Sequence, residues 1–188
     1  MKELFIAIER CTACKSCEIA CAMEHSPFKN LSEAIALSSP KRMVHVEKAR
    51  SYAYPVMCMH CTHAKCIASC PTGAMRRDSE TYAVFVDEGS CNGCKVCTMV
   101  CPFGAVTFDM RKRAVVKCDR CRSRSKEGKA PACAEACPTG AITFGEPDEF
   151  SKTKRQITAE HIADAVGGAS VETLNSNPLD ILRKTGGR

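Results

Sequence analysis

The chain has 188 residues, 45% of them hydrophobic and 26% charged, with sixteen cysteines, no tryptophan and a formal net charge of +6. That length holds one domain or two small packed units, and cysteine supplies so much of the hydrophobic fraction that a conventional apolar core would be thin. No apolar run of about eighteen residues is present, so no membrane span is expected, and the first ten residues are too short and too charged for a secretory signal, which points to a reducing cytoplasm.

Residues 4–8 form a short apolar run, expected as a strand, that leads into a first motif of Cys11, Cys14, Cys17 and Cys21 spaced C-x2-C-x2-C-x3-C. From Cys14 to His25 the composition reads as a short helix stopped at Ser26-Pro27. Residues 28–42 read as a loop or partly helical insertion, and residues 43–47 alternate like a strand, with His45 an ordinary member of it. The second motif, Cys58, Cys61, Cys66 and Cys70-Pro71, widens one interval to four residues. It contains His60 and His63, but four cysteines already complete a ligand set. Each histidine is therefore expected to be a hydrogen-bond donor beside the site or a solvated side chain.

A hairpin is expected from residues 72–77 and 82–87. The third motif follows at once: Cys91, Cys94, Cys97 and Cys101-Pro102 in the spacing C-x2-C-x2-C-x3-C-P. A second hairpin is expected from 103–109 and 114–117. The recurrence of cysteine motif, Pro-x-Gly-Ala and hairpin marks repeated small αβ units. The fourth motif, Cys118, Cys121, Cys133 and Cys137-Pro138, is split by eleven residues. The stretch from Arg122 to Pro131 within it reads as a polar basic loop, either a plain extension or a partner contact. Past Gly145 the cysteines stop. Residues 156–166 have helical periodicity, with Thr158 as candidate N-cap and Gly167-Gly168 as the stop, and residues 177–184 offer a small apolar hook for core packing or docking.

Motifs of this kind suit one chemistry. A [4Fe–4S] cube takes four soft thiolates, three from one tight loop and one from a distance. Structural zinc is instead closed by two separated Cys-x2-4-Cys knuckles, and disulfide frameworks belong to secreted domains. Sixteen thiols fill four [4Fe–4S] clusters with none to spare. Because the last cysteine of such a motif completes another cluster, the motifs must pair, first with second and third with fourth or nested; spacing decides neither. Four oxidised clusters of about −2 each bring the net charge to about −2, which removes the positive face that nucleic acid would need. A structural or nucleic-acid-binding iron–sulfur protein is the alternative of another class, and the 5% aromatic content gives it little stacking surface. No dinucleotide fingerprint and no acid–base or nucleophile constellation stands out, so a non-catalytic role is expected. Because ligation couples to folding, the metal-free chain is expected to be largely disordered.

From Cys11 to Cys137 the order of spacings, 2-2-3, 2-4-3, 2-2-3 and 2-11-3, resembles the four-cluster ferredoxin-type electron-transfer subunits of dimethyl sulfoxide reductase, formate dehydrogenase and hydrogenases. The resemblance implies an α+β fold of two pseudo-symmetric bacterial ferredoxin-like modules, the second nested within the first. The outer module would be 1–50 plus 110–145 and the inner 51–109, with 146–188 an extension available for docking a partner. It also implies the nested pairing: Cys11, Cys14, Cys17 and Cys137 on one cluster; Cys21, Cys118, Cys121 and Cys133 on its neighbour; Cys58, Cys61, Cys66 and Cys101 on a third; Cys70, Cys91, Cys94 and Cys97 on the fourth. The stretch from Cys17 to Ser26 is most similar to the iron–sulfur subunit associated with carbon monoxide dehydrogenase, and the electron-transfer subunit of tungsten aldehyde oxidoreductases is also similar. In function the resemblance implies a non-catalytic relay of single electrons. The donor would be a catalytic redox subunit, foremost carbon monoxide dehydrogenase, otherwise an aldehyde or formate oxidoreductase or a hydrogenase; the acceptor would be a hydrogenase or flavin-dependent reductase.

Overall fold

A computed structural model describes residues 2–28, 30–38 and 41–167. The chain divides into two units, 1–144 and 145–188. The first is an α+β arrangement of short helices and four two-stranded sheets. Strand β1 (Glu3–Ile6) pairs with β8 (Ile142–Gly145), so the two ends of this unit meet. The Ala7 N–H extends the join by donating to the Ala141 carbonyl at 2.8 Å.

The other three sheets are hairpins. Strands β2 (His45–Ala49) and β3 (Tyr52–Val56) pair antiparallel with Ala49 opposite Tyr52, leaving the two-residue turn Arg50-Ser51 with Arg50 left-handed. Two-residue hairpin turns favour that backbone region. Strand β3 carries Tyr, Tyr and Val, residues that favour the pleated conformation, and it lies beyond the strand expected at 43–47. Strands β4 (Met75–Arg77) and β5 (Val84–Val86) form the first expected hairpin. Its turn is held by the Asp78 carboxylate, which accepts the N–H groups of Glu80 and Thr81 at 3.1 and 2.9 Å. Strands β6 (Val106–Asp109) and β7 (Ala114–Lys117) form the second, closed by Asp109 accepting the Arg111 N–H at 2.9 Å.

Helix α1 (Ser16–Glu24) follows the first cysteine loop and ends at His25, ahead of the expected stop at Ser26-Pro27. A single turn α2 (Leu31–Glu33) runs into a π-helical turn (Ala34–Ser38), and α3 (Lys65–Ala68) and α4 (Val96–Val100) sit within the second and third motifs. The basic stretch of the fourth motif is not simply a loop: it begins as helix α5 (Arg122–Lys126), and α6 (Ala132–Glu135) carries Cys133. In the second unit, α7 (Pro147–Gly167) begins nine residues before the expected position 156. Thr158 is therefore not a cap. It lies inside the helix and its hydroxyl donates to the Lys154 carbonyl at 2.9 Å. Gly168 and the apolar hook at 177–184 lie outside the described residues.

Two apolar cores form within the first unit. One gathers Cys17, Cys21, Val44, Met57, Cys133 and Ile142; the other gathers Met75, Val84, Cys97, Val106 and Val115. The first core thus draws on both ends of the unit and the second on its middle. The expected module seams, 50/51 and 109/110, fall in the turn of β2–β3 and at the end of β6. Met57 accordingly packs with the first core and Val115 with the second, because pairing carries each hairpin across its seam.

Candidate functional site

All four motifs bend in the same way. The residue just before the second cysteine is left-handed in each: Ala13 (φ 58°), His60 (φ 47°), Gly93 (φ 73°) and Arg120 (φ 61°). The left-handed residue turns its own N–H back on the loop. His60 N–H and Arg120 N–H each donate to the preceding Sγ, of Cys58 and Cys118, at 3.4 Å. In the first and third motifs a second left-handed residue, Lys15 (φ 60°) or Lys95 (φ 63°), starts the helix that carries Cys17 or Cys97.

The last cysteines are presented differently. Cys70-Pro-Thr-Gly-Ala and Cys137-Pro-Thr-Gly-Ala place the Thr72 and Thr139 hydroxyls 3.7 and 3.8 Å from the Cys70 and Cys137 Sγ atoms. Burial works against ionisation at both thiols, but hydrogen bonding from Met75, Thr72 and Ala74 at Cys70, and from Ile142, Thr139 and Ala141 at Cys137, lowers their pKa values. These turns are built to face negative sulfur.

The thiols come together across motifs. Cys58, Cys61, Cys66 and Cys101 line one cavity of about 200 Å³ with Val84, Val106 and Phe103. Cys11, Cys14, Cys17 and Cys137 line a smaller hollow of about 20 Å³. Burial, reinforced by the charges of Cys94, Cys70 and Cys91, pushes Cys97 up to about 11. Cys133 is pushed up to about 12 by burial and by Cys21 and Cys121, and Cys118 is raised by burial with contributions from Cys133 and Cys21. Thiols of different motifs thus lie together: Cys101 shares a cavity with Cys58, Cys61 and Cys66, and Cys137 a hollow with Cys11, Cys14 and Cys17.

The Cys58 donor set fits an iron–sulfur cube better than a single ion. Four thiolates on one zinc would lie about 2.3 Å from it and leave no room between them, whereas the Cys58 set surrounds space for a group of several atoms. The buried thiols must give up protons to a strong Lewis acid, since burial, helped by neighbouring negative groups, pushes Cys17 and Cys121 up to about 11.

The two histidines of the second motif sit differently. His60 is buried, and its Nδ1 accepts the Val84 N–H at 2.9 Å; burial and the positive charges of Lys117 and Arg120 hold its pKa down to about 2. It is an acceptor bracing a backbone, not the donor or solvated side chain expected. His63 lines the Cys58 cavity. A third histidine, His25, was not among the residues singled out from the sequence. Its Nδ1 lies 2.9 Å from the Cys21 carbonyl oxygen and its Nε2 3.1 Å from Asp119 Oδ1. Burial opposes its charge, but Asp119 and Cys21 raise its pKa to about 11. Its only signal was its place four residues after Cys21, one helical turn on.

The comparisons agree with this chemistry. The model of a 4Fe-4S dicluster domain matches residues 49–147, about half of the chain. The B subunit of the anaerobic dimethyl sulfoxide reductase of Escherichia coli is 35% identical over 165 residues, covering 82% of this chain and 78% of its own length. An iron-sulfur protein of Rhodospirillum rubrum is 41% identical over 174 residues, covering 82% and 87%. Protein NrfC of Escherichia coli is 37% identical over 152 residues, covering 78% and 67%. The chain accordingly carries four [4Fe–4S] clusters. The chain belongs to the 4Fe-4S dicluster family of non-catalytic iron–sulfur electron-transfer subunits, together with the B subunit of anaerobic dimethyl sulfoxide reductase.

Proposed function

We propose that this chain relays single electrons between the catalytic subunit of an anaerobic reductase and a second redox partner. Four quartets would carry the clusters: Cys11, Cys14, Cys17 and Cys137; Cys21, Cys118, Cys121 and Cys133; Cys58, Cys61, Cys66 and Cys101; Cys70, Cys91, Cys94 and Cys97. The observation that supports the reading is that Cys101 lines one cavity with Cys58, Cys61 and Cys66 and Cys137 another with Cys11, Cys14 and Cys17, while Cys70 acts on Cys97 and Cys21 on Cys133. Each cluster, when bound, supplies a site that accepts and gives up one electron. The residues do the rest. Left-handed His60 and Arg120 aim N–H groups at sulfur, and the Cys-Pro-Thr-Gly turns lower the pKa values of Cys70 and Cys137.

A reductase of the dimethyl sulfoxide type is favoured as the partner because the named relatives include its B subunit, at 35% identity over most of both proteins. No named relative is described as serving carbon monoxide dehydrogenase, so the partner expected foremost from residues 17–26 gives way to the reductase reading, with formate or aldehyde oxidoreductases as its chemical neighbours. Sixteen cysteines with no disulfide among them suit a reducing cytoplasm, and among the described residues no helix is long and apolar enough to cross a membrane.

The test is anaerobic copurification from the native host with identification of bound chains and counts of iron and sulfide. About sixteen irons per chain are expected from four cubes, with cluster reduction or reoxidation following addition of the catalytic partner's substrate. About four zinc atoms per chain, or clusters that ignore the substrate in the intact complex, would sink the reading.

A further inference from the structure

Two cations are buried in the first unit where the loops of different motifs meet. Lys117 ends β7 with only 4% of its surface exposed, and Arg120 is 5% exposed. The Lys117 ammonium donates to two carbonyls: that of Val84, which lines the Cys58, Cys61, Cys66 and Cys101 cavity, and that of Cys118 at 2.5 Å. Cys118 belongs with Cys21, Cys121 and Cys133. Lys117 therefore touches the wall of one quartet and the backbone of another. Arg120 follows Cys118 by two residues; its N–H donates to the Cys118 Sγ, and its guanidinium reaches the Thr81 and Lys2 carbonyls at 3.4 and 3.3 Å. The positive charge of Lys117 acts on both Cys66 and Cys118, and Arg120 feels the Glu3 carboxylate first and then Cys118 and Cys58. No carboxylate is among the hydrogen-bond partners described for either cation.

A buried lysine without a carboxylate is costly unless negative charge lies close by. The sulfur quartets on its two sides are that charge. Arg77 adds to the same region, with one guanidinium nitrogen donating to the carbonyls of Cys61 and Thr62 at 2.5 and 3.0 Å.

We infer that Lys117 and Arg120 form a cationic divide between the Cys58, Cys61, Cys66, Cys101 quartet and the Cys21, Cys118, Cys121, Cys133 quartet, raising the reduction potentials of these two centres above what they would otherwise be. The inference rests on the quartets and the relay proposed above. An electron delivered by the catalytic partner adds one negative charge to whichever quartet receives it, and leaves when the next acceptor takes it. A fixed positive charge between two such centres stabilises the electron on either side. The divide makes this pair the place where electrons dwell as they pass between the two apolar cores. Lys117 and Arg120 are positioning residues: they bind no substrate and act through the field they impose.

The test uses the full iron-loaded chain and compares the wild type with Lys117→Gln, Lys117→Arg and Arg120→Gln by redox titration followed by electron paramagnetic resonance, with iron counted in each. In Lys117→Gln and in Arg120→Gln, two of the four midpoint potentials are expected to fall, the reduction equilibrium of each weakening about tenfold, or about 59 mV for one electron. The other two stay in place, and Lys117→Arg stays near the wild type. Arg120→Gln leaves the Lys117 bonds to Val84 and Cys118 intact, so it carries the test if Lys117→Gln fails to load iron. A fully loaded Arg120→Gln protein with four unchanged potentials overturns the divide while leaving the relay standing. Equal shifts at all four centres overturn it as well, since that is a response to overall charge. Wild-type clusters that cannot be reduced reversibly would instead overturn the relay itself, and the divide with it.

Discussion

A β-carbon built on Gly93 would lie 2.6 Å from the Arg113 carbonyl oxygen and 3.2 Å from the Phe108 ring, on a backbone with φ of 73°. The other three motifs carry Ala13, His60 and Arg120 at this position, each with a β-carbon on the same left-handed backbone. Gly93→Ala must therefore move the β6–β7 turn or the loop holding Cys91 and Cys94, at a cost of about 1–3 kcal/mol. The expected result is a lower melting temperature and preferential loss of the Cys91 centre's resonance signal. Ala13→Gly, by contrast, should change stability by no more than about 1 kcal/mol, since only the left-handed strain is relieved. Crossed ligation gives a second outcome. Cys101→Ala should damage the centre of Cys58, Cys61 and Cys66, and spectra showing selective loss of the Cys91 centre would refute the assignment. Every cysteine was legible from spacing. The shared left-handed bend was not, because glycine marks it only at Gly93, and a cation such as Lys117 at the end of an apolar strand carries no periodic signal.

Helix α5 was the element least legible in sequence, since a run of Arg, Ser and Lys reads as a solvated face. Its charges are instead matched to carboxylates, most of them far away in the chain. Arg122 Nε lies 2.9 Å from the Asp78 carboxylate and its guanidinium stacks 3.7 Å from the centre of the Phe85 ring. Lys126 reaches Asp78 and Glu80 at 3.5 and 3.2 Å, while Arg124 pairs with Glu24 and Glu135. The helix clamps the β4–β5 hairpin to the fourth motif. The two hairpins around positions 78–81 and 110–113 could be read in advance because Asp, Ser and Arg turns separate apolar runs; partners 44 residues apart could not. Asp78 is the centre of the clamp, its pKa lowered by the Thr81 and Glu80 N–H groups and by Arg122, with burial opposing. Asp78→Ala leaves those donors unmatched and should cost about 1–3 kcal/mol. A carboxylate with a depressed folded pKa contributes its stability above the ordinary range and loses it as pH falls through the folded value. The melting difference between wild type and variant should thus be constant from about pH 8 to about pH 5 and narrow only below about pH 4. A difference that grows on acidification would show that Asp78 is not held as its ion.

For the molecule as a whole, a thin apolar core was expected from composition, and the buried side chains bear out the reason. They are chiefly Ala, Val and Cys, and the largest of those almost fully enclosed are Ile142, Val44, Val84, Pro55 and Pro131. Cysteine belongs to both apolar cores, so each core is packed partly from thiols. Sheets of two strands give little stability by themselves, and four of them cannot hold the first unit together without something joining the loops. Iron is expected to supply that joint. Forming the bonds releases protons from thiols held as high as about 12 at Cys133 by burial and neighbouring thiolates, so iron should be held less firmly as pH falls. Anaerobic removal of iron with a chelator, in the presence of a thiol reductant to prevent disulfides, should abolish the cooperative calorimetric transition of the first unit. Restoring iron and sulfide should bring back both the transition and the visible absorbance together. A metal-free chain that still melts cooperatively near the holo temperature would show that the hairpins and ion pairs suffice, and that the clusters sit in a fold they do not build.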